Sequence, residues 1–457
     1  MSAPTDTASK ALQLNLDNSV YGTFAEIGAG QEVARWFFKV GASSGTVAKT
    51  MSAYDMQMSD AVYGECDRYV SRNRTTQMLE HEYGVLCDRL TELRGSDTTF
   101  FALADTVRAR GYKDTGECHG WMGVRFQAEP GGKANEILIH VRLLDETNIA
   151  QQEALGILGV NLLYAAYHHR GDLETLADSL LDGLDKWRIE VDMLKVTGDA
   201  FASTDNRLCA LQLVLSGLTD AALLSKDGGV LQPSEEFYKR PILLQRGTFC
   251  PVTLVNMEMM ASAQSNFQRS IPDDAREPVE VFEITMNNLL SKTGEVDKTD
   301  FLRRASMLQA CGKTVLISKF ARFHRLAAYF ARYRCAPVGI VLGLPLLESL
   351  FEDKWYEALD GGILESFGRL FKAGIRLYVY PVYDRETGEM RTVEDIEIPK
   401  NNRHLFQHLY ESGQIESLVG CGSEELRYTA NEVREMQEKG DEKWKTLVPA
   451  PVAELVG

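Results

Sequence analysis

The chain is short of several features that would place it in a class at once. It has no basic surplus. Its 49 Lys and Arg are set against 65 Asp and Glu, for a formal net charge of −16. That balance argues against a broad polyanion-coating surface for nucleic acid or an anionic membrane, while leaving room for a small local basic pocket. Cysteine is scattered: Cys66, Cys87, Cys118, Cys209, Cys250, Cys311, Cys335 and Cys421 form no C-x-x-C pair, and Cys118 beside His119 has no second ligand pair nearby. This composition speaks against a structural metal site and for reduced, mostly buried thiols in a cytosolic protein. Long apolar runs are also missing. The most apolar stretch, 335–347, is about 13 residues long and interrupted by Pro337 and Pro345, against the ~20 needed to span a bilayer. The opening MSAPTDTASKALQLNLDNSVYG has no apolar signal core. The expectation is a cytoplasmic protein with no membrane and no nucleic-acid partner. No fixed-period repeat, low-complexity segment or G-x-S-x-G elbow occurs. The loop 41–50 misses the phosphate-loop pattern, because Gly45 comes one residue early and Thr46 follows it where Lys is required. It reads as a tight turn capping a helix that starts near Thr46.

What is present is ordinary globular material, 44% apolar and 25% charged over 457 residues. Such a chain can bury a core without staples and divides into about three domains by length alone. Residues 1–20 read as a flexible lead. The apolar cluster Val33, Trp36, Phe37 and Phe38 predicts a short helix. Helical spacing of Met78, Tyr83, Leu86, Leu90 and Leu93 predicts a helix over 76–95, stopped by Gly95. Strands are predicted over 98–108, 121–127 and 136–144, the last two as a hairpin across Glu129-Pro-Gly-Gly-Lys133. Helices over 151–167 and 172–184 and a strand over 188–196 complete an α+β domain, 21–200.

From about residue 200 the rhythm changes. A helix is predicted over 206–217, capped by Thr204 or Asp205. Short continuous apolar strands then alternate with helices: 221–224, 241–245, 279–284, 313–317, 338–342 and 375–380 are strands. Continuous apolar strands alternating with helices indicate a parallel sheet covered on both faces. Residues 201–395 therefore read as a Rossmann-like α/β domain, giving an α/β fold class overall. A helical tail, 396–457, follows, with a charged helix over 424–444 and a loose end.

In open parallel sheets, ligands bind beyond the carboxyl ends of strands, where a tight loop enters a helix. The loop after the strand PILLQ is Arg246-Gly-Thr-Phe-Cys-Pro-Val-Thr-Leu-Val-Asn256. Gly247 permits close backbone approach to a phosphate, Pro251 stiffens the turn, and Thr253 and Asn256 put polar groups at the helix start. A second strand end carries Lys319, Arg322, His324 and Arg325. Other groups are weaker candidates. His168-His169-Arg170 caps a helix end, His404 and His408 lie i, i+4 without a partner Glu, and the apolar pattern of 343–362 packs a core or a subunit interface.

The 246–256 loop resembles the signature G-[ST]-F-x-P-[IV]-[TH]-x-x-H of nucleotidyltransferases, in particular the nicotinamide/nicotinate mononucleotide adenylyltransferases. Gly247, Thr248, Phe249, Pro251, Val252 and Thr253 match, and Asn256 stands where that family has its final His. The second family motif, I-S-S-T-x-x-R, is not reproduced. The text Ile317-Ser-Lys-Phe-Ala-Arg322 is the nearest. The stretch VYGTFAEIGAGQEVARWFF is also similar to a bacterial family, common in cyanobacteria, whose members are labelled adenylyltransferases. The resemblance implies a nucleotide ligand, ATP or a dinucleotide, and Mg²⁺, with adenylyl transfer to a mononucleotide. It places Thr253 and Asn256 in catalysis and Gly247, Thr248, Phe249 and Pro251 in nucleotide binding, to which the strand-end positions of Arg246, Lys319, Arg322 and Arg325 add cations for the nucleotide's charge. No residue is assigned to a protein-bound metal. Asn256 carries no charge, and loss of a charge-assisted contact weakens stabilisation of a phosphoryl transition state. The alternative is a catalytically inactive, self-assembling homo-oligomer of structural or regulatory role.

Overall fold

A computed structural model describes residues 5–28, 31–113, 116–290, 294–419 and 424–456. Cys421, Ala29 and Gly30 fall outside that set. The chain divides into two compact units, Met1–Ala222 and Leu223–Gly457.

The first unit runs α1 (Thr7–Leu16), β1 (Val20–Ile27), α2 (Glu32–Val40), β2 (Val47–Met51), α3 (Met56–Tyr63), α4 (Arg72–Arg94), β3 (Thr99–Arg108), β4 (Cys118–Gln127), β5 (Ala134–Leu143), α5 (Asn148–His168), α6 (Leu173–Ser179), β6 (Ile189–Thr197) and α7 (Asn206–Ser216). Its sheet has the order β2-β1-β3-β4-β5-β6. β2, β1 and β3 are parallel, and β3 through β6 antiparallel. The predicted hairpin is β4–β5. Helix α5 is buried on nearly every side, which is why its sequence is apolar all round rather than striped. It crosses α2 closely: a Cβ on Gly159 would sit 2.3 Å from Val33 Cγ2.

Three local expectations are corrected here. Residues 7–16, expected in a flexible lead, form α1. Asp6 caps it, Ala11 and Leu14 are buried, and the buried Lys10 ammonium donates to Asn161 Oδ1 (2.9 Å) and Asp182 Oδ2 (2.6 Å). The helix expected from Thr46 is instead strand β2, because Val47 pairs with Gly22 of β1. Helix α7 packs with the first unit. Asn206 brackets the Val196 backbone with two hydrogen bonds, and Cys209 and Leu213 join that unit's core.

Glu26 and Asp105 are direct cross-strand partners on β1 and β3, with 1% and 0% exposure. Glu26 accepts from the N–H groups of Val33 and Ala34 at the start of α2. Burial nevertheless lifts its carboxyl to about 7. Neither Asp105 oxygen has a hydrogen-bond partner. Burial, then the Glu26 charge, push the Asp105 carboxyl well above the usual range.

The second unit runs β7 (Ala221–Leu224), β8 (Val230–Leu231), α8 (Pro233–Phe237), β9 (Ile242–Arg246), α9 (Leu254–Gln268), β10 (Val279–Thr285), α10 (Met286–Leu289), α11 (Lys298–Ala310), β11 (Thr314–Ser318), α12 (Phe323–Arg332), β12 (Val338–Gly343), α13 (Leu344–Leu350), α14 (Gly362–Lys372), β13 (Ile375–Tyr380), β14 (Val382–Tyr383), β15 (Met390–Arg391), α15 (Arg403–Glu411), β16 (Ile415–Ser417), α16 (Ala430–Glu438) and α17 (Ala450–Val456). The sheet order is β16-β13-β12-β9-β10-β11-β7-β8, with every pair from β16 to β11 parallel. The chain builds outward from β9 through β10 to β11. It then returns beside β9 as β12 and builds the other way through β13 to β16. This is the doubly wound Rossmann order, with its reversal between β9 and β12. The fold class is α/β with a Rossmann-like parallel sheet.

Two expectations for the tail are corrected. The single charged helix over 424–444 is broken into a turn of 3-10 helix at Glu424–Arg427, α16, and a second 3-10 turn at Glu442–Thr446. Gly440, at φ 72°, stops α16. The expected loose end is helix α17, held by the fully buried Val452. Among the described residues no helix is long and apolar enough to cross a membrane.

Candidate functional site

The carboxyl ends of β9, β10, β11 and β12 open onto one cavity of about 490 Å³. Each of its walls follows one strand. Arg246 ends β9. Thr285, Asn287 and Asn288 follow β10, and Arg322, Phe323 and His324 follow β11. The segment from Leu346 to Tyr356 follows β12, and Ser366, Phe367 and Leu370 of α14 close the back. The position is the one a doubly wound topology dictates, since the loops diverge at the reversal and leave a crevice between them.

Arg246 is pinned. Its Nε and Nη2 donate to the two oxygens of Glu283 at 2.7 and 2.9 Å, and its guanidinium lies 4.3 Å from the Phe323 ring centre. Glu283 is fully buried and also accepts from Ser318 Oγ at 2.6 Å. This bidentate pair locks β9, β10 and β11 together and leaves Arg246 little freedom to turn toward a ligand. Arg322 differs. It stands at the N-cap of α12, half-buried in the cavity wall, and its guanidinium has no ion pair or side-chain hydrogen bond among the described residues. Lys354 also lines the cavity but pairs with Glu352. His324 Nδ1 lies 2.8 Å from Ser366 Oγ. Burial first, and then the charges of Arg322, Arg369 and Arg325, hold the imidazole below its usual range, and Glu365 acts weakly the other way. Trp355 and Tyr356 supply flat apolar walls. Tyr356 is buried and donates to the Leu350 carbonyl, while Trp355 remains half-exposed.

The 246–256 loop is built differently from an open phosphate cradle. A Cβ on Gly247 would lie 2.9 Å from the Phe249 ring, so the space beside this glycine is filled by the protein's own side chain. Phe249, at φ 50°, tucks that ring inward against Phe282. The Gly247 N–H donates to the Glu283 carbonyl, and Asn288 and Arg304 bond the Gly247 and Thr248 carbonyls. Pro251 is buried behind a cis peptide bond to Cys250, whose sulfur accepts from Arg303. Thr253 and Asn256 are committed to each other as a capping box. The Thr253 N–H and Oγ1 donate to Asn256 Oδ1 at 2.9 and 3.0 Å, and the Asn256 N–H donates to Thr253 Oγ1. The next donor, Leu254 N–H, bonds the Leu447 carbonyl of the C-terminal segment.

Of the residues assigned from sequence, the cavity gathers Arg246 and Arg322. Thr253, Asn256, Lys319 and Arg325 lie outside its lining, the last two exposed. Sequence reasoning missed Trp355, Tyr356, Ser366 and Phe367. They come from the two segments after β12, and their apolar periodicity reads as core packing. Among the described residues no carboxylate lines the cavity. A second polar line in the first unit was also invisible in sequence. His119 Nδ1 lies 3.2 Å from His140 Nε2, and His140 Nδ1 lies 2.6 Å from Asp192 Oδ1. Burial, and then His140, lower the His119 imidazole to about 4.

No protein-family model matches the chain, and no curated protein matches it. Several solved structures resemble part of it, among them the following three. A competence/damage-inducible protein from Agrobacterium tumefaciens is 19% identical over 36% of this chain and 98% of its own, with a TM-score of 0.27. A competence-damaged (CinA) superfamily protein from Enterobacter cloacae is 12% identical over 36% of this chain and 98% of its own, with a TM-score of 0.25. A competence or damage-inducible protein from Enterobacter asburiae is 12% identical over 36% of this chain and 99% of its own, with a TM-score of 0.26. The adenylyltransferase resemblance rests on the 247–253 match alone.

Proposed function

We propose that the second unit binds a nucleotide in the cavity at the sheet reversal, with phosphoryl oxygens on Arg322 and the base against Trp355 and Tyr356. The observation that carries this reading is Arg322: a cation with no ion-pair partner among the described residues, in a concave wall beside aromatic rings, at the strand ends where Rossmann-like sheets take their ligands. A guanidinium presents a planar fork of donors suited to phosphate, and planar rings accept a base by stacking. Arg246 serves as the floor, held in place by Glu283.

Calorimetry with AMP and with ATP plus Mg²⁺ tests the reading. Binding is expected in wild type and weakened about 10- to 100-fold in Arg322→Gln, the range for losing a charge-assisted contact. No binding of either nucleotide, or equal binding by the variant, defeats it. Adenylyl transfer is the finer reading, supported by the loop match. Binding without transfer is the second, favoured because Thr253 and Asn256 are engaged with each other and Leu254 N–H with Leu447. Pyrophosphate release from ATP with nicotinamide mononucleotide and Mg²⁺ decides between them.

A further inference from the structure

His324 has no part in the reading above, yet it lines the same cavity two residues from Arg322. Its Nδ1 is held at 2.8 Å by Ser366 Oγ, which fixes the ring's orientation. The charged groups that bear on it are Arg322 and Arg325 from its own segment and Arg369 and Glu365 from α14. Three cations and one carboxylate act on the ring, Arg369 and Glu365 being paired with each other at 2.7 Å, in a site already partly withdrawn from water. A positive imidazole is disfavoured there for as long as the cavity holds no anion.

We infer that the cavity takes up a proton with its ligand: an anion seated on Arg322 turns His324 into an imidazolium that donates to Ser366 through Nδ1 and to the anion through Nε2. This rests on the proposed nucleotide reading and adds its regulation. The argument is electrostatic linkage. A phosphate on Arg322 cancels the charge that suppresses His324 and adds a negative partner, both of which favour the protonated ring. The burial that opposes a lone imidazolium is offset once the charge is paired and hydrogen-bonded at both nitrogens. By reciprocity, if ligand favours the proton then the proton favours ligand, so affinity falls as pH rises through the range between the free and bound values of the ring. One linked proton gives a limiting tenfold change in affinity per pH unit.

The experiment is AMP titration of the full chain by calorimetry from pH 5.5 to 8, in wild type and in His324→Gln. The phosphate of AMP titrates near the acid end of this range, but that contribution is common to both proteins. The difference between the two profiles therefore isolates His324. Wild-type affinity is expected to fall more steeply than the variant's, by an additional factor approaching ten per pH unit at its steepest. Parallel profiles overturn the inference and leave nucleotide binding standing. Absence of AMP binding at every pH overturns both. Because His324→Gln replaces a buried ring, histidine Cε1 NMR on unmutated protein supplies the second measurement. The His324 signal should titrate at distinctly higher pH with saturating AMP than without it, and an unmoved titration refutes the linkage.

Discussion

Asp105→Asn is the sharpest test of the physical account of the first unit. Asp105 and Glu26 face each other across β1 and β3 in a buried layer, and neither Asp105 oxygen is hydrogen-bonded. The folded protein therefore keeps a proton on Asp105 at pH values where the unfolded chain has released it. The sign follows directly. A folded-state value above the unfolded one means the native state binds more protons, so the stabilisation is complete below about pH 4 and is lost as pH rises. For one proton the slope is about 1.4 kcal/mol per pH unit, continuing up to the folded-state value of Asp105. Glu26 adds a similar slope between its ordinary value and about 7. Asparagine removes the Asp105 proton and keeps the shape. Whatever constant the buried amide costs, the stability of Asp105→Asn relative to wild type should climb as pH rises above about 4, with a limiting slope of about 1.4 kcal/mol per pH unit, until Asp105 ionises in the fold. In a unit of this size that corresponds to about 3–6 °C in Tm per pH unit. Thermal melts of both proteins at half-unit pH steps read it. A constant offset between the two curves would mean that Asp105 is ionised in the fold and that the burial argument is wrong.

Two further outcomes follow from the second unit. Glu283→Gln leaves the Arg246 guanidinium, itself only 11% exposed, without its bidentate partner. Breaking a buried pair from one side should lower stability by about 3 kcal/mol, read by urea denaturation. Trp444 is 4% exposed in the C-terminal segment whose Leu447 carbonyl caps the start of α9. Trp444→Ala should cost about 3 kcal/mol and speed limited proteolysis within 424–456, whereas unchanged cleavage would show the segment is held by other contacts.

Much of the second unit was legible from local pattern. Its core strands are short continuous apolar runs, and runs such as PILLQ at β9 and VGIVL in β12 read as strands buried on both faces. The β4–β5 hairpin was visible in the turn Glu129-Pro-Gly-Gly-Lys133 between two strand patterns, the second alternating Ile137, Ile139, Val141 and Leu143 with Leu138, His140 and Arg142. Errors clustered where a tertiary partner overrides local preference. Residues 7–16 look like a polar lead because Lys10 and Asn15 are polar, yet both are buried against partners far along the chain. Val47–Met51 follows a Gly-Ser turn that could cap a helix, and only the adjacent β1 edge makes it a strand. The 424–444 segment has the composition of one helix and is broken where Gly440 adopts a left-handed conformation.

The site divides the same way. A signature read along the chain singled out the 246–256 loop, because consecutive residues carry a motif. Folding shows that the loop's donors satisfy one another: Asn256 caps Thr253, Phe249 covers Gly247 and Leu447 covers Leu254. Composition and periodicity alone determined the α/β class, the parallel sheet and the two strand ends that carry Arg246 and Arg322, because hydrophobic burial and strand length are local properties. Only the tertiary structure decided which cation keeps a free charge. Arg246 and Arg322 look equivalent in sequence, but β10 lies beside β9 and brings Glu283 onto Arg246, while among the described residues no carboxylate pairs with Arg322.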